Sequence, residues 1–461
     1  MKLLRSVFVA WVGWSPSSWR SVKPPSPQIP LREEEFVAME GSVAELRTRP
    51  PLVFAGECDR LRGRIAEAAV GKGFLLTAGN CAEALGDGGD VNRIRDDYRL
   101  LLQLALILTY ETGLPVIKMG RVAGQYAKPR SNPMEERGGT VLPVYRGDIY
   151  NSLEFDAANR SFDPKRMLSV YDRSVQTANI VRAFASGGFA DIHRLHAWNL
   201  EFVDRTRAGS SYRELSSRVD ETLRFMRAIG ADDGYRSRFT DAYFSHESLF
   251  LPYEEALCRT DSITGDYYAC SGHFLWLGER TRDLKGPHVE FLRGISNPIG
   301  IKVSEKVDVD ELVELVEKLN PLDIPGKITL ITRMGAKKLK KKLPELITAM
   351  DEAFIHPPLW CCDPVHGNTI TSPFGYKTRS VDAIMDEVRV FFDIHRDMGS
   401  HPGGLHLELT SDDVTECYGG DWESGKLVEF EDVSQRYKTK CDPRLNAEQA
   451  LQIAFGVADY I

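Results

Sequence analysis

Leu359-Trp-Cys-Cys-Asp-Pro-Val-His-Gly-Asn368 decides how this chain reads. Apolar residues run up to Cys362, and Asp363-Pro364 and His366-Gly367 follow at once. A parallel strand covered on both faces looks like this: an unbroken apolar run that delivers reactive side chains to its carboxyl end. The pattern recurs after Gly73, at 74–77, 115–118, 242–245, 274–277, 299–303, 328–331, 359–362 and 405–409. Amphipathic stretches such as 308–319, 339–354 and 381–398 separate most of these runs. Repeated strand–helix units predict a (β/α)8 TIM barrel, because each parallel strand needs a crossover and closure removes the edges of the sheet.

The rest of the 461 residues fit around that barrel. Residues 1–30 are rich in Pro, Ser and Trp and read as an irregular arm, and 31–72 read as helix broken at Pro50-Pro51. Together 1–72 form an N-terminal extension to a barrel spanning 73–461. The long gap between the second and third strands is too long for a loop. It carries helical patterns at 164–185 and 212–228, so an insertion is expected at about 132–240. The basic run from Lys337 to Lys342 is expected to be the solvated face of a helix.

Composition narrows the function. A net charge of −8 and a pI near 5.8 argue against nucleic-acid binding. Nothing approaches the ~20 apolar residues that span a membrane. The segment from Met1 to Gly13 faintly resembles a signal peptide, but its apolar run is short and no small-x-small cleavage site follows. Eight cysteines without a CxxC pair or a dense framework fit a reducing, cytoplasmic setting.

Barrel enzymes place their reactive groups where strands end. In order, the ends offer Cys81; Lys118 and Arg121; His246 and Glu247; Glu279 and Arg280; Lys302; Arg333; Asp363 and His366; His406 and Glu408. Cys81, His366 and Glu408 form a thiolate–imidazole–carboxylate set suited to a borderline divalent ion such as Mn²⁺, Fe²⁺, Co²⁺ or Zn²⁺. Arg121, Arg280, Lys302 and Arg333, with Lys128 and Arg130 nearby, suit a polyanion. The duller alternative is that each cation pairs with a neighbouring acid, Arg280 with Glu279 for instance. Metal beside phosphorylated acids points to aldol-like carbon–carbon bond formation or to phosphate-ester chemistry, and spacing does not choose between them.

Longer motifs carry a resemblance. Lys118-Met-Gly-Arg-Val-Ala-Gly-Gln-Tyr-Ala-Lys-Pro-Arg-Ser131, Trp276-Leu-Gly-Glu-Arg-Thr281, Asn297-Pro-Ile-Gly-Ile-Lys302 and Thr332-Arg-Met-Gly335 resemble type II 3-deoxy-D-arabino-heptulosonate 7-phosphate (DAHP) synthases. So do Cys362-Asp-Pro-Val-His-Gly-Asn368, His401-Pro-Gly-Gly404, Thr415-Glu-Cys417 and Cys441-Asp-Pro-Arg-Leu-Asn446. The likeness runs in family order from about Trp14 to the C-terminus.

The resemblance implies a metal-dependent condensation of phosphoenolpyruvate with erythrose 4-phosphate, the entry to the shikimate pathway and aromatic amino acid biosynthesis. It implies Cys81, His366, Glu408 and Asp442 as metal ligands, with Mn²⁺ the expected ion. Phosphoenolpyruvate would meet Arg121, Glu279, Arg280, Lys302 and Arg333, and erythrose 4-phosphate would meet Lys128, Arg130 and Ser131. The catalytic set would be Cys81, Arg121, Glu279, Lys302 and His366, with Glu279 the candidate to handle the proton of the attacking water. A homo-oligomer and aromatic amino acid effectors are further expectations of the family. A paralogue feeding a secondary-metabolite, phenazine-like pathway by the same reaction is one alternative, and a non-catalytic regulatory relative is another.

One departure stands out. The family pattern around the metal cysteine is Gln-Gly-Gly-Asp-Cys-Ala-Glu, whereas this chain has Thr77-Ala-Gly-Asn-Cys-Ala-Glu83. Asn80 thus removes an acid next to the metal, and weaker metal retention or altered metal preference is expected. Cys441 adjoins Asp442, which leaves two readings: an inert buried thiol, or a thiol that oxidation joins to Cys81 with expulsion of the metal.

Overall fold

The computed structural model describes residues 13–86, 90–192, 194, 198, 201–204, 206–230, 240–420, 428–458 and 460. Most of the signal-like N-terminal stretch therefore lies outside the described residues. Eight strands, β1 (Phe74–Gly79), β2 (Val116–Arg121), β3 (Tyr243–Glu247), β4 (Phe274–Leu277), β5 (Ile299–Val303), β6 (Ile328–Thr332), β7 (Leu359–Cys362) and β8 (Pro402–Glu408), close into one parallel barrel. Each strand pairs with its neighbours in sequence, and β8 returns to β1 with Gly79 opposite Glu408. The expected (β/α)8 barrel is what the chain forms.

Alternation within each strand explains the doubly apolar runs. On β7, Leu359 and Cys361 face the barrel interior with Leu75, Ile117, Met119, Phe274 and Ile331, while Trp360 and Cys362 pack outward among the helices. Helices α1 (Glu33–Thr48), α2 (Ala55–Ala69) and α3 (Val91–Thr112) are followed by α4 (Arg166–Ser186) and α5 (Arg207–Ala228) of the insertion. Then come α6 (Val309–Leu319), α7 (Ala336–Ala353), α8 (Val381–Met398) and α9 (Ala447–Ala458). Helix α8 begins at Ser380, whose hydroxyl accepts from the Ala383 amide, and ends at left-handed Gly399.

Two features exceed the sequence reading. Helix α2 plugs the amino end of the barrel with Leu61, Ile65 and Ala68, one apolar face at helical spacing. Strand β2 runs on past Lys118 to Arg121, because backbone pairing with β1 continues through two residues that are not apolar enough to read as strand. Alternation then turns Ile117 and Met119 inward. Lys118 points outward, its Nζ donating back to the Val116 carbonyl at 3.3 Å.

Candidate active site

The carboxyl ends of the strands surround an open cavity of about 1650 Å³, its mouth included. Arg121, Lys128, Arg130, Ser131, Glu279, Arg280, Lys302, Arg333, His366 and Asp442 all line it. Cys81 and Glu408 lie directly behind these residues. Of the strand-end candidates, Lys118 and His246 stay outside this cavity, and the others gather at one end of the barrel. His246 does not belong: its Nε2 meets Glu254 Oε1 at 2.8 Å in the core, and its buried Nδ1 is unpaired.

Strand ends and tight turns set the geometry. Gly79 has φ +149°, and a Cβ there would come within 3.0 Å of the Arg121 carbonyl, so β1 and β2 can approach only because residue 79 is glycine. Past Arg121 the chain turns through Ala123 at φ +62°. That strained turn is held by Glu83, whose carboxylate accepts from the amides of Ala123, Gly124 and Gln125 at 3.0, 2.9 and 2.8 Å. Desolvation pushes the Glu83 carboxyl upward against those bonds. The N-terminal arm also reaches the site. Gln28 accepts from the Arg130 amide at 2.8 Å and donates to its carbonyl at 3.0 Å.

The cationic half of the cavity is only partly neutralised. Arg121 is clamped by Glu408 Oε1 at 2.9 Å and by the Asn80 carbonyl at 3.1 Å, and contacts His406. Its guanidinium lies 5.1 Å from the Trp276 ring centroid, so an indole forms the floor of the site. Lys302 meets Asp363, and desolvation lowers its pKa despite that carboxylate. Arg280 donates to Ser131 Oγ at 3.1 and 2.9 Å rather than pairing with Glu279. Glu279 is taken instead by Arg282 at 3.1 Å and Ser304 at 2.7 Å. The neighbour-pair alternative for Arg280 therefore fails, and its charge faces the cavity.

The other half joins acids, imidazole and thiol. His366 bridges two carboxylates, with Nδ1 2.7 Å from Asp363 Oδ2 and Nε2 3.1 Å from Glu408 Oε1. A carboxylate behind an imidazole that itself faces a second carboxylate is how metal-binding histidines are oriented. Desolvation alone would raise the Glu408 carboxyl, but His366, Arg379 and Arg121 hold it well below the ordinary range. Glu408 Oε2 lies 2.9 Å from Arg379 Nη1 without hydrogen-bond geometry. Asp442, lowered to about 2 by Lys128 and Lys377 against desolvation, places Oδ2 3.8 Å from Cys81 Sγ. Lys128 donates to Cys81 Sγ at 3.1 Å and to its carbonyl at 2.8 Å.

Among the described residues, the tight ligand-type cluster is Cys81, Cys441 and Asp442, with His366–Glu408 as a second pair. Cys81 and Cys441 are joined as a disulfide, the pairing in the second reading of Cys441. The donor set fits a borderline divalent metal once the thiol is free.

Sequence reasoning missed three members of the site. Arg379, on the hairpin after β7, is buried and leaves Nη2 unpaired; it lies beyond any strand end, so nothing local marks it. Glu247 lines the cavity with Oε1 unpaired, and desolvation raises its carboxyl against Lys128, Lys302 and Arg121. It stood among the strand ends without a role. Glu83 carried a signal only as the last residue of the cysteine motif.

The family model described as the class-II DAHP synthetase family matches residues 14–458. The chain belongs to that family. It is 47% identical over 443 residues to the phospho-2-dehydro-3-deoxyheptonate aldolase of Streptomyces coelicolor, covering 96% of each chain. It is 44% identical over 422 residues to phospho-2-dehydro-3-deoxyheptonate aldolase AroG of Mycolicibacterium smegmatis, covering 90% of this chain and 89% of that one.

Proposed function

We propose that this chain is a DAHP synthase, a transferase that condenses phosphoenolpyruvate with erythrose 4-phosphate and releases phosphate. The observation that carries the reading is the cavity itself, where Arg121, Arg280, Lys302 and Arg333 converge beside the His366–Glu408 and Cys81–Asp442 pairs. Two phosphorylated substrates need such converging cations, and fixing both in place lowers the entropic cost of joining them.

In this reading Arg121, Lys302 and Arg333 hold the phosphate and carboxylate of phosphoenolpyruvate, with Arg280 at the rim. Lys128, Arg130 and Ser131 hold the phosphate of erythrose 4-phosphate. Cys81, His366, Glu408 and Asp442 hold the divalent metal, Mn²⁺ by expectation, which supplies a Lewis acid for the aldehyde oxygen when bound. Trp276 and neutral His406, its pKa kept well below the usual range by desolvation and by Lys302 and Arg121, close the floor against water. Glu279, with Oε2 unpaired, takes the proton of the water that attacks C2 of phosphoenolpyruvate. No helix among the described residues is long and apolar enough to cross a membrane. A cytoplasmic homo-oligomer with aromatic amino acid feedback belongs to the same reading and rests on family likeness.

The test is phosphoenolpyruvate consumption and phosphate release by reduced protein given erythrose 4-phosphate and Mn²⁺, with chelator and Cys81→Ser as controls. Turnover that needs both aldehyde and metal is the expected result. Phosphate release without the aldehyde would make the protein a phosphohydrolase instead.

A further inference from the structure

Asn80 is where the chain departs from its family, one residue before Cys81. Its side chain bridges two charged groups. Oδ1 accepts from Arg444 Nη1 at 2.7 Å, and Nδ2 donates to Asp97 Oδ2 at 3.2 Å. Arg444 is itself forked onto Glu416 at 3.0 and 2.7 Å. Asp97, on α3, accepts at its other oxygen from the Ser411 amide and hydroxyl at 2.9 and 2.7 Å. The backbone of the same residue is gripped as well, since the Asn80 carbonyl accepts from Arg121 Nε at 3.1 Å.

The polarity of this chain is fixed. Arg444 offers only donors and needs an acceptor, while an ionised Asp97 offers only acceptors and needs a donor. A single amide at position 80 satisfies both. A carboxylate there would suit Arg444, but would set its second oxygen against Asp97 at hydrogen-bond distance, two like charges sharing one gap. Desolvation already pushes the Asp97 carboxyl upward, against Arg93 and the Ser411 bonds. Asn80 and Asp97 therefore require each other.

We propose that Asp97 supplies, across its hydrogen bond to Asn80, the carboxylate that position 80 itself lacks, and acts as a positioning residue for Cys81 through Asn80. The charge lies one hydrogen bond from position 80 rather than at it. This replaces the simpler expectation that Asn80 weakens the metal site, and it rests on the reading of Cys81 as a metal ligand.

The experiment is a double-exchange cycle in the full, reduced chain: Asn80→Asp, Asp97→Asn and the two together. Mn²⁺ affinity is measured by titration of free Mn²⁺, and the thermal midpoint is measured on metal-free protein. Each single exchange is expected to weaken Mn²⁺ binding by about 10-fold or more, the usual size of an effect exerted from behind a ligand. The double exchange should return to within about 3-fold of the parent, with the thermal midpoint recovering in parallel. Single effects that multiply in the double variant, or an Asn80→Asp protein that binds Mn²⁺ as well as the parent, would overturn the proposal. Cys81→Ser separates the two claims. If it keeps Mn²⁺, the ligand reading fails, and the metal-free midpoints alone decide the proposal: recovery supports it and additivity overturns it.

Discussion

The two ends of the barrel bury the same kinds of side chain to opposite effect. At the amino end, Lys327 is buried and donates to the carbonyls of Ile295 and Asn297 at 2.5 and 2.6 Å, and desolvation drops its pKa to about 7. Both of these bonds go to closing the chain beneath α2. At the carboxyl end, Lys302 and Arg121 are equally enclosed, yet both border an open cavity shared with Arg280 and Arg333. Burial of a cation does not mark a site. Convergence of cations on space that only an anion would fill does. One motif shows both outcomes, since Asn297-Pro-Ile-Gly-Ile-Lys302 starts as a bottom staple, with the Asn297 amide on the Ala269 and Gly272 carbonyls, and ends in the cavity.

That contrast can be broken most sharply by exchanging one cation at each end. Lys302→Ala is expected to lower kcat by about 10²–10³-fold, the cost of removing one charged donor from a preorganised site. Lys327→Met should leave kcat and KM within about 3-fold. It should instead destabilise the fold by about 1–3 kcal/mol per carbonyl left unpaired, read from chemical denaturation. Equal losses of activity in both variants would erase the distinction.

The next effect concerns the thiol. Oxidised protein, with Cys81 joined to Cys441, should retain no Mn²⁺ at the site, and reduction should restore both metal and turnover. Cys441→Ser should keep metal under oxidising conditions, as metal analysis of air-exposed protein would show. Metal retained by the oxidised parent would place the ion elsewhere.

The smallest effect lies behind the cavity. Glu387 on α8 accepts from the Met334 amide at 3.0 Å and from Asn368 at 2.7 Å, tying the loops after β6 and β7 together. Desolvation raises its pKa to about 7, above about 4.3 for a free glutamate. The folded chain holds this proton more tightly than the unfolded one. The stability it contributes is therefore full below about pH 4.3 and is lost as pH rises through about 7. Glu387→Gln should flatten the fall in thermal midpoint over that window; an unchanged profile would assign the dependence to other groups.

The sequence made the barrel legible because strands covered on both faces read as apolar runs, and β4, β5 and β7 coincide with those runs. Strand β2 was cut short because Gly120 and Arg121 carry no apolar signal, although their backbones pair. Plugging by α2 was hidden, since Leu61, Ile65 and Ala68 look like any amphipathic helix until their partners are known. In the site, strand-end residues were readable and loop residues were not. Asp442 came only through family likeness, and Arg379 through neither route. The Asp97–Asn80 pair needed three dimensions, because 17 residues of chain separate two atoms 3.2 Å apart.

The most direct test of the central claim is a crystal structure of the reduced protein with Mn²⁺ and phosphoenolpyruvate. Metal is expected among Cys81, His366, Glu408 and Asp442, and the phosphoenolpyruvate phosphate and carboxylate on Arg121, Lys302 and Arg333. Metal outside that set, or phosphoenolpyruvate bound away from the carboxyl end of the barrel, would contradict it.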